Sequence, residues 1–389
     1  MTSINRERRQ AMRGAIATGA GIASGRAFAQ TTQAQFSPLA EGQSGLRALA
    51  LYEGLEHPWS FCFLPDRTIL LTERPGRMRI LRVQGQNAQV TAAIQGLPAV
   101  HAEGQGGLLD VITSADFARD QTIFFSLAQA TDRGARTAIF RAQLQGLGLG
   151  RVQMIFAQKQ DPAGRHHFGC RLVIGPDGYL YASLGERFSQ AKQAQTLDNH
   201  FGKVIRIGLD GSIPKDNPFV GRGDALGEIY SYGHRNPQGL ALHPQHQSLW
   251  MHEHGPQGGD ELNIISAGRN YGWPVITYGR EYVTNFRIGE GTSRADVVAP
   301  IHYWIPSIAP SGLCFVSRSS IDHLRGGVLI GSLKERCLAF LRLQADRVIA
   351  EQRLLSSLNA RVRDVRESPG GEIYIMTDES RGAILRLTL

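Results

Sequence analysis

The chain is 389 residues long, 42% hydrophobic and only 20% charged, which excludes a disordered chain and leaves ample material for a core. Its four cysteines, at positions 62, 170, 314 and 337, have no C-x-x-C spacing, so a zinc ribbon, a thioredoxin motif, a haem-attachment site and a disulfide framework are excluded. No run of eighteen consecutive apolar residues occurs, so no membrane-spanning helix is expected, and the 45 glycines point to many tight turns.

Residues 1–29 read as an export signal. Arg6, Arg8, Arg9 and Arg13 form a basic start, a mild Ala/Gly/Ile stretch runs from Ala15 to Ala23, and Ala27-Phe28-Ala29 supplies an A-x-A cleavage site. The paired Arg8-Arg9 ahead of a glycine-rich, weakly hydrophobic segment fits a twin-arginine signal, which predicts a periplasmic protein. The segment carries five arginines against one glutamate, so its removal lowers the net charge from +8 to +4. No Lys/Arg run interleaved with aromatics remains, and nucleic acid is not an expected partner. Residues 30–45 form a spacer, and 46–389 the folded domain.

Within that domain one short pattern recurs, a polar or glycine-rich turn followed by an apolar β-rich run. Its copies begin their apolar runs near Ile69, Ile123, Leu180, Leu249, Val328 and Ile373, with steps of 54, 57, 69, 79 and 45 residues. Further strand candidates follow, such as 77–81, 202–207 and 383–387. Short strands between glycine turns, with almost no sustained 3.6-residue period, predict an all-β chain: a six-bladed β-propeller of four-stranded antiparallel sheets. The early segment 46–51 is expected to pair with the last copy and close the ring. The two longest steps place the insertions between residues 181 and 328, where function is expected.

Four groups of segments hold most of the unusual polar residues. In Glu103-Gly104-Gln105-Gly106-Gly107 the glycines would let the chain turn and present the Gln105 amide to a ligand hydroxyl, or simply make a turn. His166 and His167 offer either a general base or surface imidazoles; as neighbours in an extended segment they face opposite ways, which argues against one shared metal. Gly233-His234-Arg235-Asn236-Pro237-Gln238 places a guanidinium where it could polarise a carbonyl or fix a carboxylate. The segment from His252 to Asn263 combines the Gly255-Pro256 carbonyls with Asp260 and Glu261, oxygen ligands of the kind Ca²⁺ prefers; His252 and His254 suggest zinc instead, without a third familiar ligand. Lys334, Arg361 and Arg363 are either solvated edge charges or, on the last two blades, partners of one anion.

At these residues the sequence resembles the soluble quinoprotein glucose/aldose sugar dehydrogenases, the glucose/sorbosone dehydrogenase family, over about residues 46–389. The matching motifs occur in family order: 104–109, 167–176, 233–240, Gly255-Pro256 with Asp260-Glu261, Asn270-Tyr271-Gly272-Trp273-Pro274, 307–311, 332–334 and 361–365. The resemblance implies a six-bladed propeller that binds pyrroloquinoline quinone (PQQ) on one face with Ca²⁺ against the quinone. It implies His167 as the base for the C1 hydroxyl of an aldose, Gln105 on the same oxygen, and Arg235 with Asn236 over the quinone carbonyls. His254 would lie near the cofactor, and Lys334, Arg361 and Arg363 would pair with its carboxylates. The Gly255 and Pro256 carbonyls would ligate calcium, and Glu261, the Tyr271 carbonyl and Glu281 a second calcium. With no haem motif in the chain, the electron acceptor would be a separate periplasmic cytochrome or membrane quinone. The sequence departs from the family at His166, where an aspartate orients the base in the glucose-specific branch, and at Cys170, which puts a thiol close to the base. Trp304 is a candidate to replace a missing aromatic beside the quinone and sugar. A non-catalytic glycan- or protein-binding propeller and a metal-dependent lactonase are the alternative readings.

Overall fold

The computed structural model describes residues 45–389; the expected signal segment and nearly all of the spacer lie outside them. Strand β1 (Arg47–Leu55) comes first. Blade 1 follows as β2 (Pro58–Phe63), β3 (Ile69–Glu73), β4 (Arg77–Gln84) and β5 (Asn87–Val90), and blade 2 as β6 (Leu108–Thr113), β7 (Thr122–Ala130), β8 (Ala135–Gln145) and β9 (Gly148–Ala157). Blade 3 contains β10 (Gly169–Ile174), β11 (Leu180–Leu184), β12 (Lys203–Ile207) and β13 (Ile229–Tyr232). Blade 4 contains β14 (Pro237–Leu242), β15 (Leu249–Glu253), β16 (Asp260–Ile265) and β17 (His302–Trp304). Blade 5 contains β18 (Pro310–Phe315), β19 (Val328–Ser332), β20 (Cys337–Gln344) and β21 (Arg347–Leu354). Blade 6 is β22 (Val362–Glu367), β23 (Ile373–Thr377), β24 (Gly382–Thr388) and, at its outer edge, β1.

Each sheet is a four-stranded antiparallel meander, and the six form the propeller expected from the repeat. The six apolar markers all fall at the start of the second strand of a blade, β3, β7, β11, β15, β19 and β23. The first strands of the six blades contact one another in succession around the axis, including β22 with β2. The ring is fastened by β1, which pairs antiparallel with β24 from Arg47–Thr388 to Leu55–Gly382, so strands from both ends of the domain share one sheet.

Burial follows position in the blade. The second strands of blades 1, 3, 4, 5 and 6 are buried at all five positions, while outer strands such as β5 alternate between exposed and half-buried. Side chains alternate across each pleated sheet, so each blade feeds apolar groups to both neighbours. Six apolar clusters result, one for each pair of adjacent blades; Phe61, Ile69, Met376 and Ile384 join blades 6 and 1, and Trp250, Leu313, Val328 and Leu341 join blades 4 and 5. Every fully buried Leu, Ile or Phe contributes about 1.5–3 kcal/mol, so the interfaces between blades are the main apolar stabilisation.

The inner strands share a second feature: each has a β-bulge within its first few residues. A bulge re-aims side chains, and here it does so at the same end of all six blades. Near the axis the inner strands carry buried charge. Arg171 Nη1 lies 3.3 Å from Asp110 and 3.2 Å from Asp364, its Nε donates to the Gln238 carbonyl at 2.8 Å, and Arg366 reaches Asp364 at 3.2 Å and Asp110 at 3.3 Å. The Leu172 N–H donates to Asp110 at 2.7 Å.

No helix among the described residues is long and apolar enough to cross a membrane. The insertions lie where the long steps place them, in residues 185–202, 208–228 and 266–301.

The axial network gives a stability prediction. Arg171 is 2% exposed, and Arg171→Met would leave Asp110 and Asp364 with Arg366 as their remaining cation. The expected loss is about 3–5 kcal/mol, read from the shift of the urea unfolding midpoint. A midpoint equal to that of the parent would show that the network is not a structural tie.

Candidate active site

Alternating strand direction sets where the site can be. The inner strand of a blade starts, and the second strand ends, on the same face of the ring. Residues just before an inner strand and just after a second strand therefore converge around the axis on that face. They line a cavity of about 370 Å³. His57, Asn236, Ala309 and Arg361 immediately precede inner strands, while Arg74, His254, Leu333 and Asp378 immediately follow second strands. Trp59, Gln238 and Arg363, each the second residue of an inner strand, complete the central wall.

The charged lining is Arg74, Arg361 and Arg363 against Asp378. Arg363 Nη2 bonds Asp378 Oδ2, and its Nη1 donates to Gln238 Oε1 at 3.1 Å, but its Nε is buried without a partner. Arg361 donates to the Leu333 carbonyl at 3.1 Å, and Arg74 to the Gly104 carbonyl at 2.6 Å. Burial alone would raise the Asp378 carboxyl, but Arg363, Arg74 and Arg361 outweigh it and hold the group well below the usual carboxylate range. Three guanidiniums against one carboxylate make the cavity an anion site.

His167 lies beside this cavity. Its Nδ1 is 3.0 Å from Glu186 Oε1, and its backbone N–H donates to Gln105 Oε1 at 2.9 Å. The residue is 5% exposed and sits in the left-handed backbone region at φ 51°, a strained conformation that the Gln105 and Glu186 contacts help to hold. Burial, with the charges of Arg235, His166 and Arg187, keeps His167 well below an ordinary imidazole, so it is neutral near pH 7. Burial pushes Glu186 up to about 7 although Arg235 opposes it. With Glu186 ionised, Nδ1 carries the proton that it donates and Nε2 keeps its lone pair.

Arg235 is 4% exposed, its guanidinium 5.1 Å from the Trp273 ring centre. Its Nη1 donates to the carbonyls of His254 at 3.2 Å and Gly255 at 2.6 Å, its backbone N–H bonds Glu253, and its Nε is buried without a partner. The insertion 266–301 delivers that tryptophan, and the backbone N–H of Trp273 donates to the Gly233 carbonyl at 2.9 Å. Arg235, Glu253, Gly255, Glu261, Tyr271 and Trp273 share a second, much smaller cavity of about 10 Å³. Burial and the nearby Glu253 raise Glu261 well above an ordinary carboxyl.

The structure thus brings together most of the residues singled out in the sequence. Gln105, Asn236, His254, Arg361 and Arg363 line the large cavity, His167 and Arg235 flank it, and Gly255, Glu261 and Tyr271 line the small one. His254 is neutral: burial lowers it to about 3, and its Nε2 lies 2.7 Å from the Pro310 carbonyl. Lys334 is exposed at the rim beside Leu333, while Glu281 lies outside the small cavity and binds the N–H groups of Val283 and Thr284 in its own turn. Pro256 is buried beside Gly255.

Cys170, three residues beyond His167, is fully buried in the apolar cluster between blades 2 and 3, and burial holds its thiol far above the ordinary range. One expectation needs correction. Trp304 does not replace an aromatic in the cavity, because its Nε1 donates to Glu351 Oε1 at 2.7 Å and the side chain is buried between blades 4 and 5. The group that orients His167 proves to be Glu186, nineteen residues along the chain. Glu186, Arg74 and Asp378 escaped the sequence reading, yet a positional signal exists. Counting five residues on from the markers Ile69, Leu249, Val328 and Ile373 reaches Arg74, His254, Leu333 and Asp378, and six on from Leu180 reaches Glu186.

Asp378 provides a test of the cavity's charge. Because its value is depressed in the folded state, its stabilisation is fully present above 3.8 and is lost as pH falls below that value. Asp378→Asn should lower stability at pH 7 by about 3 kcal/mol in urea unfolding, and a small polycarboxylate such as citrate should restore part of it. An unchanged midpoint would show that the three guanidiniums are not confined against one another.

The model of the Glucose / Sorbosone dehydrogenase family matches residues 55–386. The aldose sugar dehydrogenase YliI of Escherichia coli is 40% identical over 347 residues, covering 87% of this chain and 91% of that protein. The crystal structure of the soluble aldose sugar dehydrogenase from Escherichia coli, in its apo form, superposes with a TM-score of 0.85 at 38% identity, covering 88% of this chain and 99% of that one. The PQQ-bound aldose sugar dehydrogenase of Streptomyces coelicolor superposes with a TM-score of 0.70 at 26% identity, covering 88% and 98%. The chain belongs to the glucose/sorbosone dehydrogenase family.

Proposed function

We propose that the protein is a periplasmic quinoprotein aldose sugar dehydrogenase that oxidises the C1 hydroxyl of aldoses to lactones, with PQQ as hydride acceptor and His167 as general base. The observation that carries this reading is the neutral His167, held through Nδ1 by Glu186 beside a cavity with three arginines. A metal-dependent lactonase would need acidic side chains converging on a central ion. Here the two axial aspartates are already paired with Arg171 and Arg366.

The cavity's chemistry fits a planar quinone with several carboxylates. Arg361, Arg363 and Arg74 would meet the carboxylates, and the buried, unpartnered Nε atoms of Arg235 and Arg363 are donors awaiting acceptors. Asn236 and His254 would flank the ring system. Lys334, at the rim, would add a weaker, solvent-screened contact. Calcium would be held by the Gly255 and Pro256 carbonyls, and a second calcium by Glu261 with the Tyr271 carbonyl. Glu253 is the carboxylate best placed to join that second site, ahead of Glu281. When bound, PQQ supplies the acceptor for the C1 hydride, chemistry that no side chain in the cavity offers.

The chain's own part is acid–base and positional. Glu186 fixes the tautomer that leaves His167 Nε2 unprotonated, and Nε2 takes the proton of the sugar's C1 hydroxyl. As that O–H bond breaks, its electron pair forms the carbonyl of the lactone. Gln105 keeps the base in place through the His167 N–H, and its side-chain amide N–H remains available for the sugar oxygen. Export by the twin-arginine route, through residues 1–29, and electron delivery to a separate cytochrome or membrane quinone complete the proposal.

Two measurements test it. Since His167 is already neutral near pH 7, the group that titrates there is Glu186, and kcat/KM with an aldose and PQQ should rise through about pH 7 and level above it. Glu186→Gln should abolish that limb and lower the rate by about 10²–10⁴, as should His167→Ala; full turnover in His167→Ala would remove it as the base. Arg363→Ala should weaken PQQ binding about 10- to 100-fold and Lys334→Ala only slightly. Equal losses in the two would contradict the cavity assignment.

A further inference from the structure

Past Gly185, the residue after β11, three successive residues divide three tasks among them. Glu186 orients the base, and its N–H donates to the Arg235 carbonyl at 2.9 Å. Arg187, 1% exposed, is clamped on every side: Nε to the His166 carbonyl at 3.0 Å, Nη1 to Ala135 at 2.5 Å, Nη2 to Gly164 at 2.8 Å, and its guanidinium 3.7 Å from the Phe168 ring centre. Phe188 then stands out into solvent at 55% exposure, with its ring 5.3 Å from His167 and 5.6 Å from His166.

The backbone shows that this exposure is built in. Arg187 and Phe188 both occupy the left-handed region, at φ 63° and 64°, and the Ser189 N–H closes back on the Arg187 carbonyl at 2.7 Å. Two successive non-glycine residues in that region are unfavourable, and a glycine would relieve the second at no steric cost. Here the chain instead spends its strain on holding a large apolar ring out of the core and over the base. The ring so held presents a flat apolar face to solvent beside the His167 imidazole. The rim around it is polar: Gln105, the exposed His166, and the Arg165–Glu103 ion pair at 3.1 Å.

We propose that Phe188 is a carbohydrate-binding subsite, a platform against which the C–H face of an aldohexose pyranose lies while its C1 hydroxyl meets His167. The subsite rests on the dehydrogenase reading for its substrate class and deepens it. An apolar ring edged by hydrogen-bonding groups matches a pyranose, whose ring faces are C–H and whose perimeter is hydroxyl. It selects sugars with a full pyranose C–H face, such as D-glucose, over short aldoses such as D-erythrose, whose C1 hydroxyl is carried on a smaller furanose ring. Phe188 is a binding residue here, with no part in the proton transfer.

The experiment is ligand-observed saturation-transfer NMR of D-glucose on the full chain, with and without PQQ and Ca²⁺, for the parent, Phe188→Ala, Phe188→Gly and Phe188→Tyr. Each variant changes only an exposed side chain, and the glycine variant also relieves the left-handed backbone, so a folding failure common to all is not expected. D-glucose should bind about tenfold more weakly to the alanine and glycine variants and with parental affinity to the tyrosine variant. In turnover, the KM for D-glucose should rise by the same factor while that for D-erythrose stays within about twofold. Equal D-glucose affinity in parent and Phe188→Ala, or no saturation transfer to D-glucose in the parent, would overturn the subsite. Phe188-dependent D-glucose binding in a protein that shows no PQQ-dependent oxidation would support the subsite while sinking the dehydrogenase reading.

Discussion

The structure depends on a buried ionic knot at its axis. Asp110, Arg171, Asp364 and Arg366 come from the inner strands of blades 2, 3 and 6, and Arg171 also reaches the Gln238 carbonyl of blade 4. Charges removed from water are costly unless each finds partners, so the inner strands have little freedom to slide past one another. Apolar clusters between blades supply most of the stabilisation but tolerate a range of sheet angles. The knot sets the positions of the strands that carry the site, an effect on specificity more than on net stability.

The site inherits that precision because it sits one residue away from it. Trp59, with the Arg171 guanidinium 4.2 Å from its ring centre, and Gln238 and Arg363, which Arg171 contacts through their carbonyls, are cavity walls. The bulge near the start of each inner strand turns the next residues toward the axis, and every blade except blade 2 contributes a wall residue from an inner or second strand or its immediate flank. Blade 2 enters through the Gln105 loop. A ring of converging strand ends concentrates charge: three guanidiniums face one carboxylate, and the imidazole beside them stays neutral by burial. Electrostatic preorganisation of this kind suits an anionic cofactor and a base that must not be protonated before substrate arrives.

The fold was legible in the sequence because each blade repeats a turn and an apolar second strand, whose residues are buried at every position and so read as a continuous run. The site was legible where it lies in glycine-bounded loops before inner strands, as with Gln105, His167, Arg235 and Asn236. It was poorly legible after second strands, where Arg74, Glu186 and Asp378 look like ordinary polar residues ending a strand. Their roles come from partners far away in the chain, such as Arg363 for Asp378, which no local pattern reveals. Trp304 shows the opposite failure: the resemblance suggested the cavity, and the fold buries the side chain between blades 4 and 5 with its N–H on Glu351.

PQQ is proposed to sit in the arginine-lined cavity beside the His167–Glu186 pair. A titration of purified protein with PQQ in the presence of Ca²⁺, following dye reduction with a panel of aldoses, tests that placement. Saturable reduction that reaches its plateau at one equivalent of quinone and requires the sugar is expected. Failure of the protein to retain the quinone's absorbance after desalting, with no aldose-dependent reduction at any ratio, would contradict it.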